Sequence, residues 1–146
     1  MTDSVELLSL VLTLRPLQPP QPAAEAERRW WGRAAHALLL QVVDAADADL
    51  AARLHESSEL RPFTASTLLG KKAQSPDPAQ TYSLRFTALT AEISALLLQA
   101  AQPGGRLAPG AAVELDYQPF QVEAAASQPE EQPWAATGNY QQIFSQ

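Results

Sequence analysis

Leu8, Leu10, Leu12 and Leu14 alternate with Ser9, Val11 and Thr13. A strict period of two over seven residues defines a strand with one apolar face, because successive side chains point to opposite sides. One wet face and one buried face suit an antiparallel sheet covered on a single side. The predicted strand runs from Val5 to Leu14. A second strand repeats the pattern. Tyr82, Leu84, Phe86 and Ala88 alternate with Ser83, Arg85 and Thr87. Between them the period changes. Rows Ala34-Leu38-Val42 and Ala35-Leu39-Val43, at spacing four, predict a helix from about residue 24 to 45.

The punctuation agrees. Four prolines between Pro16 and Pro22 break the chain after the first strand. Asp47 or Asp49 can cap a short second helix, 48–56, that His55 nearly closes. Pro62 stops any helix, and 63–69 reads as extended up to Gly70. Residues 71–80, with Pro76 and Pro78, read as a loop. Thr90 and Glu92 start another helix, with Ile93, Leu96, Leu97 and Ala100 as its buried face and Pro103-Gly104-Gly105 as its end. Residues 113–126 read as a strand and its return, or one bulged strand, broken near Gln118-Pro119, with Val113, Leu115 and Tyr117 on one face. The order is strand, helices, strand, strand, helix, strand. It predicts an α+β, ferredoxin-like (RRM-like) βαββαβ domain with helices on one face of an antiparallel sheet. Residues 1–127 form that domain and 128–146 a polar and aromatic tail.

Composition removes several function classes. The 146 residues suffice for one core, and 46% of them are apolar. There is no cysteine, hence no disulfide, thiolate metal site or cysteine nucleophile. No apolar run is long enough to span a membrane, and no leader is visible, which suits the cytoplasm. A net charge of −6 opposes free-standing nucleic-acid binding, yet all ten Lys and Arg lie between Arg15 and Arg106. A local basic face is compatible with that. Arg28, Arg29 and Arg33 beside Trp30 and Trp31, and Lys71 with Lys72, are its candidates for RNA contact. A solvated helix face with its tryptophans on the core is the plainer reading of the first group.

The chain has two histidines on different elements, and no ligand spacing for a metal, phosphate loop or serine elbow. No cofactor is expected. His36 lies mid-helix beside the apolar face, where a structural role is the plainer one. His55 ends a helix ahead of a loop. It can cap the open carbonyls or exchange a proton near neutral pH. With Arg61 it supplies two of the three needs of RNA self-cleavage: a proton carrier and positive charge for the phosphorane.

Four stretches carry a resemblance: 10–16 (LVLTLRP), 32–37 (GRAAHA), Leu54-His55-Glu56 through Pro62-Phe63-Thr64-Ala65-Ser66, and Pro133-Trp134-Ala135 leading to Tyr140. In order and spacing the chain resembles the N-terminal half of the CRISPR repeat-processing endoribonucleases, the sixth Cas family. The resemblance implies tandem ferredoxin-like domains and metal-independent cutting of precursor CRISPR repeat RNA to a 2′,3′-cyclic phosphate. It implies His55 as general acid or base. Arg61 stands where some members have a lysine. Leu40 stands where some have a tyrosine, with His36 as the candidate to compensate. The family's glycine-rich RNA-binding loop belongs to a second domain, so this chain alone is expected to be a weak nuclease or none. Partners implied are CRISPR repeat RNA and a second ferredoxin-like domain or other Cas proteins, without a membrane. The fold also suits a non-catalytic module docking by a sheet edge or by Trp134, Tyr140 and Phe144, including onto a second copy, and a small-ligand regulatory domain.

Overall fold

The computed structural model describes residues 5–19, 31–56 and 62–141, with His55 and Glu56 described by backbone alone. Strand β1, Leu7–Pro16, is its centre. Leu10, Leu12 and Leu14 are fully buried and Leu8 nearly so, as the alternation predicts. Each such leucine contributes about 1.5–3 kcal/mol relative to exposure. The opposite face of β1 is thinner: among the described residues Val11 forms a small buried cluster with Ala126 and Ala135.

Helix α1, Trp31–Ala46, buries Trp31, Ala35, Leu38, Leu39, Val42 and Val43. The predicted start at residue 24 lies outside the described residues. Trp31 anchors the first described turn. Its ring meets Phe120 edge-on, with centroids 6.0 Å apart, and its Nε1–H donates to the Ala73 carbonyl at 2.8 Å. Asp47 separates α1 from helix α2, Ala48–Glu56. Its carboxylate accepts from the Leu50 amide at 3.0 Å, so Asp47, not Asp49, is the cap. Leu50 and Leu54, one turn apart, bury the inner face of α2.

The stretch expected to be extended to Leu69 keeps only three residues as strand β2, Phe63–Ala65. Leu69 rejoins the sheet through a single bridge to Ser83. Gly70 passes under the Tyr82 ring, where a Cβ would lie 2.5 Å from the ring edge. Strand β3 is Tyr82–Ala88. Thr90 then caps helix α3, Ala91–Ala100, by accepting from the Ile93 amide. Ser94 is buried on α3 as fully as Ile93, because its hydroxyl donates to the Glu6 carbonyl at 3.1 Å.

Strands β4, Ala112–Leu115, and β5, Gln118–Ala126, form a hairpin. Its break lies at Asp116-Tyr117 rather than at Gln118-Pro119. Both turn residues have positive φ, 52° and 66°, the geometry of a tight two-residue hairpin turn. Tyr117 therefore leaves the face of Val113 and Leu115 and stands 83% exposed. A final strand, β6, Ala136–Gly138, pairs with Leu7–Ser9 of β1. So the residues after Ser127 add to the sheet before the chain passes Gln141.

The sheet order is β2-β3-β1-β5-β4, with β6 also on β1 and every pairing antiparallel. This is the ferredoxin-like permutation: β1 centre, β3 and β5 beside it, β2 outside β3. Helix α2, edge strand β4 and strand β6 are additions to it. The helices cover the leucine face. Among the described residues no helix is long and apolar enough to cross a membrane.

Candidate functional site

Helix α1 crosses the covered face from one edge strand to the other, and its two flanks differ. On the β2 flank the His36 ring stacks on Phe63, with centroids 5.4 Å apart and planes 28° apart. Phe63 is buried and follows the loop that joins α2 to the sheet. His55 lies in the last turn of α2, ahead of that loop. Arg61 stands between α2 and β2 in the sequence and lies outside the described residues, as do Arg28 and Arg29. His55 thus closes α2 and the His36–Phe63 stack opens β2, with Arg61 between them in the sequence.

The described basic candidates lie on two segments that Trp31 ties together. Arg33 is exposed in its first turn, and Lys71 and Lys72 are exposed in the loop after Gly70. Trp31 joins the two segments through its bond to Ala73. This link is tertiary, and only the indole N–H needing a partner when buried hints at it.

On the other flank, a groove of about 460 Å³ separates α1 from the β4–β5 turn. The helix side presents Ala34, Ala37 and Leu38 with Arg33 and Gln41 at the margin. The hairpin side presents Glu114, Asp116 and Tyr117. Sequence reasoning missed this site. Tyr117 looked like a core residue because it continues the alternation of Val113 and Leu115.

The sheet's uncovered face carries a third feature absent from the expectation. The Arg85 Nε–H donates to the Ser9 hydroxyl at 2.7 Å, and that hydroxyl donates to the Trp134 carbonyl at 2.6 Å. Around it lie Thr64 and Thr87, whose hydroxyls are hydrogen-bonded to each other. Arg15 reaches Glu123 at 3.0 Å and the Pro78 carbonyl at 3.1 Å.

The sheet order and the helices on one face define a ferredoxin-like α+β domain. Residues 7–98 match the CRISPR Cas6 N-terminal domain family, more than half of the chain, and the chain belongs to that family. Among solved structures, one Cas6 product complex superposes with a TM-score of 0.69 at 22% identity, covering 94% of this chain and 47% of the other. A second Cas6 product complex gives 0.65 at 21% identity, covering 96% and 46%. The product of a Cas6-related gene from Pyrococcus furiosus gives 0.55 at 16% identity, covering 82% and 46%. At these identities the likeness is one of fold. The chain spans a little under half the length of each of these proteins. No curated protein matches it.

Proposed function

We propose that this chain is the N-terminal half of a CRISPR repeat-RNA endoribonuclease. The observation that carries the reading is family membership over residues 7–98 together with His55 in the last turn of α2. In the reaction, a base takes the proton of a ribose 2′-hydroxyl. The 2′-oxygen attacks the adjacent phosphorus, the bond from phosphorus to the 5′-oxygen breaks, and the leaving oxygen takes a proton. The products are a 2′,3′-cyclic phosphate and a 5′-hydroxyl. His55 serves one of the two proton transfers, and Arg61 offsets the charge that grows on the phosphorane. Arginine keeps its proton, so Arg61 acts by charge alone. Because the nucleophile belongs to the RNA, the chain's lack of cysteine is no obstacle. Arg33, Lys71 and Lys72 at the start of α1, with Arg28 and Arg29 just before it in the chain, contact the phosphates.

A second ferredoxin-like domain completes the RNA grip, and this chain alone cuts weakly. Labelled repeat RNA is incubated with the chain in EDTA, with and without the second domain in trans, beside His55→Ala. A single cut ending in a cyclic phosphate, stimulated by the second domain and lost in the variant, is the expected result. A cut that survives His55→Ala removes His55 from the chemistry.

One set of side chains favours a second reading, a docking module. Leu89, Trp134 and Tyr140 are exposed, and the Tyr140 hydroxyl donates to the Leu89 carbonyl at 2.6 Å. Phe144, expected in the same tail, lies outside the described residues. Binding of the second domain without cleavage in any combination supports that reading.

A further inference from the structure

Strand β4, Ala112–Leu115, ends the sheet on its side, and among the described residues no strand pairs with its outer edge. The hydrogen bonds of its neighbour show which backbone groups that edge leaves open. The Leu17 amide donates to the Pro119 carbonyl at 3.0 Å, so Pro119 turns toward the β1 side and away from β4. Glu114, opposite Pro119, is therefore in a non-hydrogen-bonded pair, and its own N–H and C=O point outward. Ala112, two residues earlier, points the same way. Such open groups are a template for one more strand.

The two faces of that edge differ. Val113 and Leu115 are buried on the α1 side, while Ala112 and Glu114 are exposed on the other. On the α1 side the edge is hollow. The groove beside the β4–β5 turn runs into a second one, of about 170 Å³, through Leu38 and Gln41, which line both. Together they follow β4 along its length, and Ala34 and Ala37 keep the helix wall low. The inward side chains of an added strand would fill this space. Two charges mark its ends. Arg106 lines it beside Ala111 and Ala112, and Asp116 lines it at the turn. Both are exposed, and among the described residues neither has an ion-pair partner.

Opposite charges at the two ends of one open strand suit a partner that runs antiparallel and carries the same two charges. We propose that two copies of this chain pair through β4, antiparallel and centred on Val113, to join their sheets into one. In that register Ala112 lies opposite the partner's Glu114, and Glu114 opposite the partner's Ala112. The outward N–H and C=O groups of both residues are then bonded. The apolar Val113 and Leu115 stay on the α1 side, and no carboxylate directly faces another. The partner's Asp116 comes to the Arg106 end, and the partner's Arg106 to the Asp116 end. The contact is isologous, so it closes at two copies. A parallel copy would set like charge beside like charge at both ends and would not close. The pairing does not depend on the nuclease reading.

Sedimentation equilibrium of the full chain, from micromolar to millimolar concentration, is the test. A reversible monomer–dimer equilibrium is expected. Arg106→Glu puts like charges together at both ends and weakens the dimer at least about fivefold, and Asp116→Arg does the same. An equal mixture of these two variants associates more tightly than either alone, because every facing pair is again opposite in sign. Ala112→Pro removes an outward N–H that β5 does not use, so the dimer is lost while the monomer keeps its native circular dichroism. A chain that stays monomeric at every concentration overturns the proposal. So does a dimer that survives Ala112→Pro, unchanged affinity in the single charge variants, or a mixture that associates no better than its components. The charge variants lie on the exposed surface, so their comparison decides the matter even where proline disturbs the hairpin.

Discussion

The His36 ring lies stacked against Phe63, 5.4 Å between centroids, so the one histidine of α1 contacts the first residue of β2. Phe63 follows the loop that carries Arg61, and His55 precedes it. The His36 stack thus ties α1 to the start of β2. His36→Ala should lower stability by about 0.5–1.5 kcal/mol, the value of an aromatic pair beyond burial. Denaturant unfolding of His36→Ala, Phe63→Leu and the double variant measures it. A coupling near zero would show that the stack contributes nothing.

Arg61 should matter to the chemical step far more than to folding. If it stabilises the phosphorane, Arg61→Ala lowers the single-turnover rate by about 10²-fold. Arg61→Lys keeps most of the rate, since it keeps the charge. Equal losses in both variants, measured with the second domain present, would mean that the guanidinium fork rather than the charge is needed.

Ser9 should be the most sensitive small residue on the uncovered face. It is 7% exposed, accepts from Arg85 and donates to the Trp134 carbonyl. Ser9→Ala removes two hydrogen bonds whose other partners, Arg85 and Trp134, are exposed to water, and should cost about 0.5–1.5 kcal/mol. Thermal unfolding checks it. Ser9→Ala in an Arg85→Met background should cost less than in the native chain, because one of the two bonds is already gone.

Removing residues 128–146 should destabilise the domain rather than trim a tail. β6 supplies hydrogen bonds to Leu7–Ser9, and Ala135 covers Val11. The loss should be at least about 2 kcal/mol. A truncated chain with native stability would place the boundary of the folding unit near Ser127 after all.

Where one physical signal decided a segment, the sequence could be read. The alternation over Leu8–Leu14 and Tyr82–Ala88 located the two central strands, because burial on one face leaves period two little freedom. The cap at Thr90 and the rows of α1 did the same for helices. Their order predicted the ferredoxin-like arrangement. Short or unorthodox pieces were not legible. β6 has three residues, too few to show a period. The hairpin turn uses Asp116-Tyr117 without the glycine that marks such turns, so its position slipped by two residues and its groove went unseen. The role of His55 came from resemblance to a family, since one histidine at a helix end has an equally good structural use as a cap. The link between the Arg33 turn and the Lys71-Lys72 loop passes through Trp31 and Ala73, 42 positions apart, and no local pattern encodes it.

The place of β1 at the centre of the sheet also governs how the protein is made. Ser9 pairs with Thr87 on one side and with Ala136 on the other. At synthesis rates of about 5–20 residues per second, the ribosome takes about 6–25 s to travel from Leu14 to Ala136. Through that interval β1 gains its neighbours one at a time, β3 by Ala88, β5 by Ala126 and β6 last. The last partner of β1 to be made is β6, so a translational pause before Ala136 leaves the backbone of Leu7–Ser9 unpaired on one side while the helices already cover the leucine row.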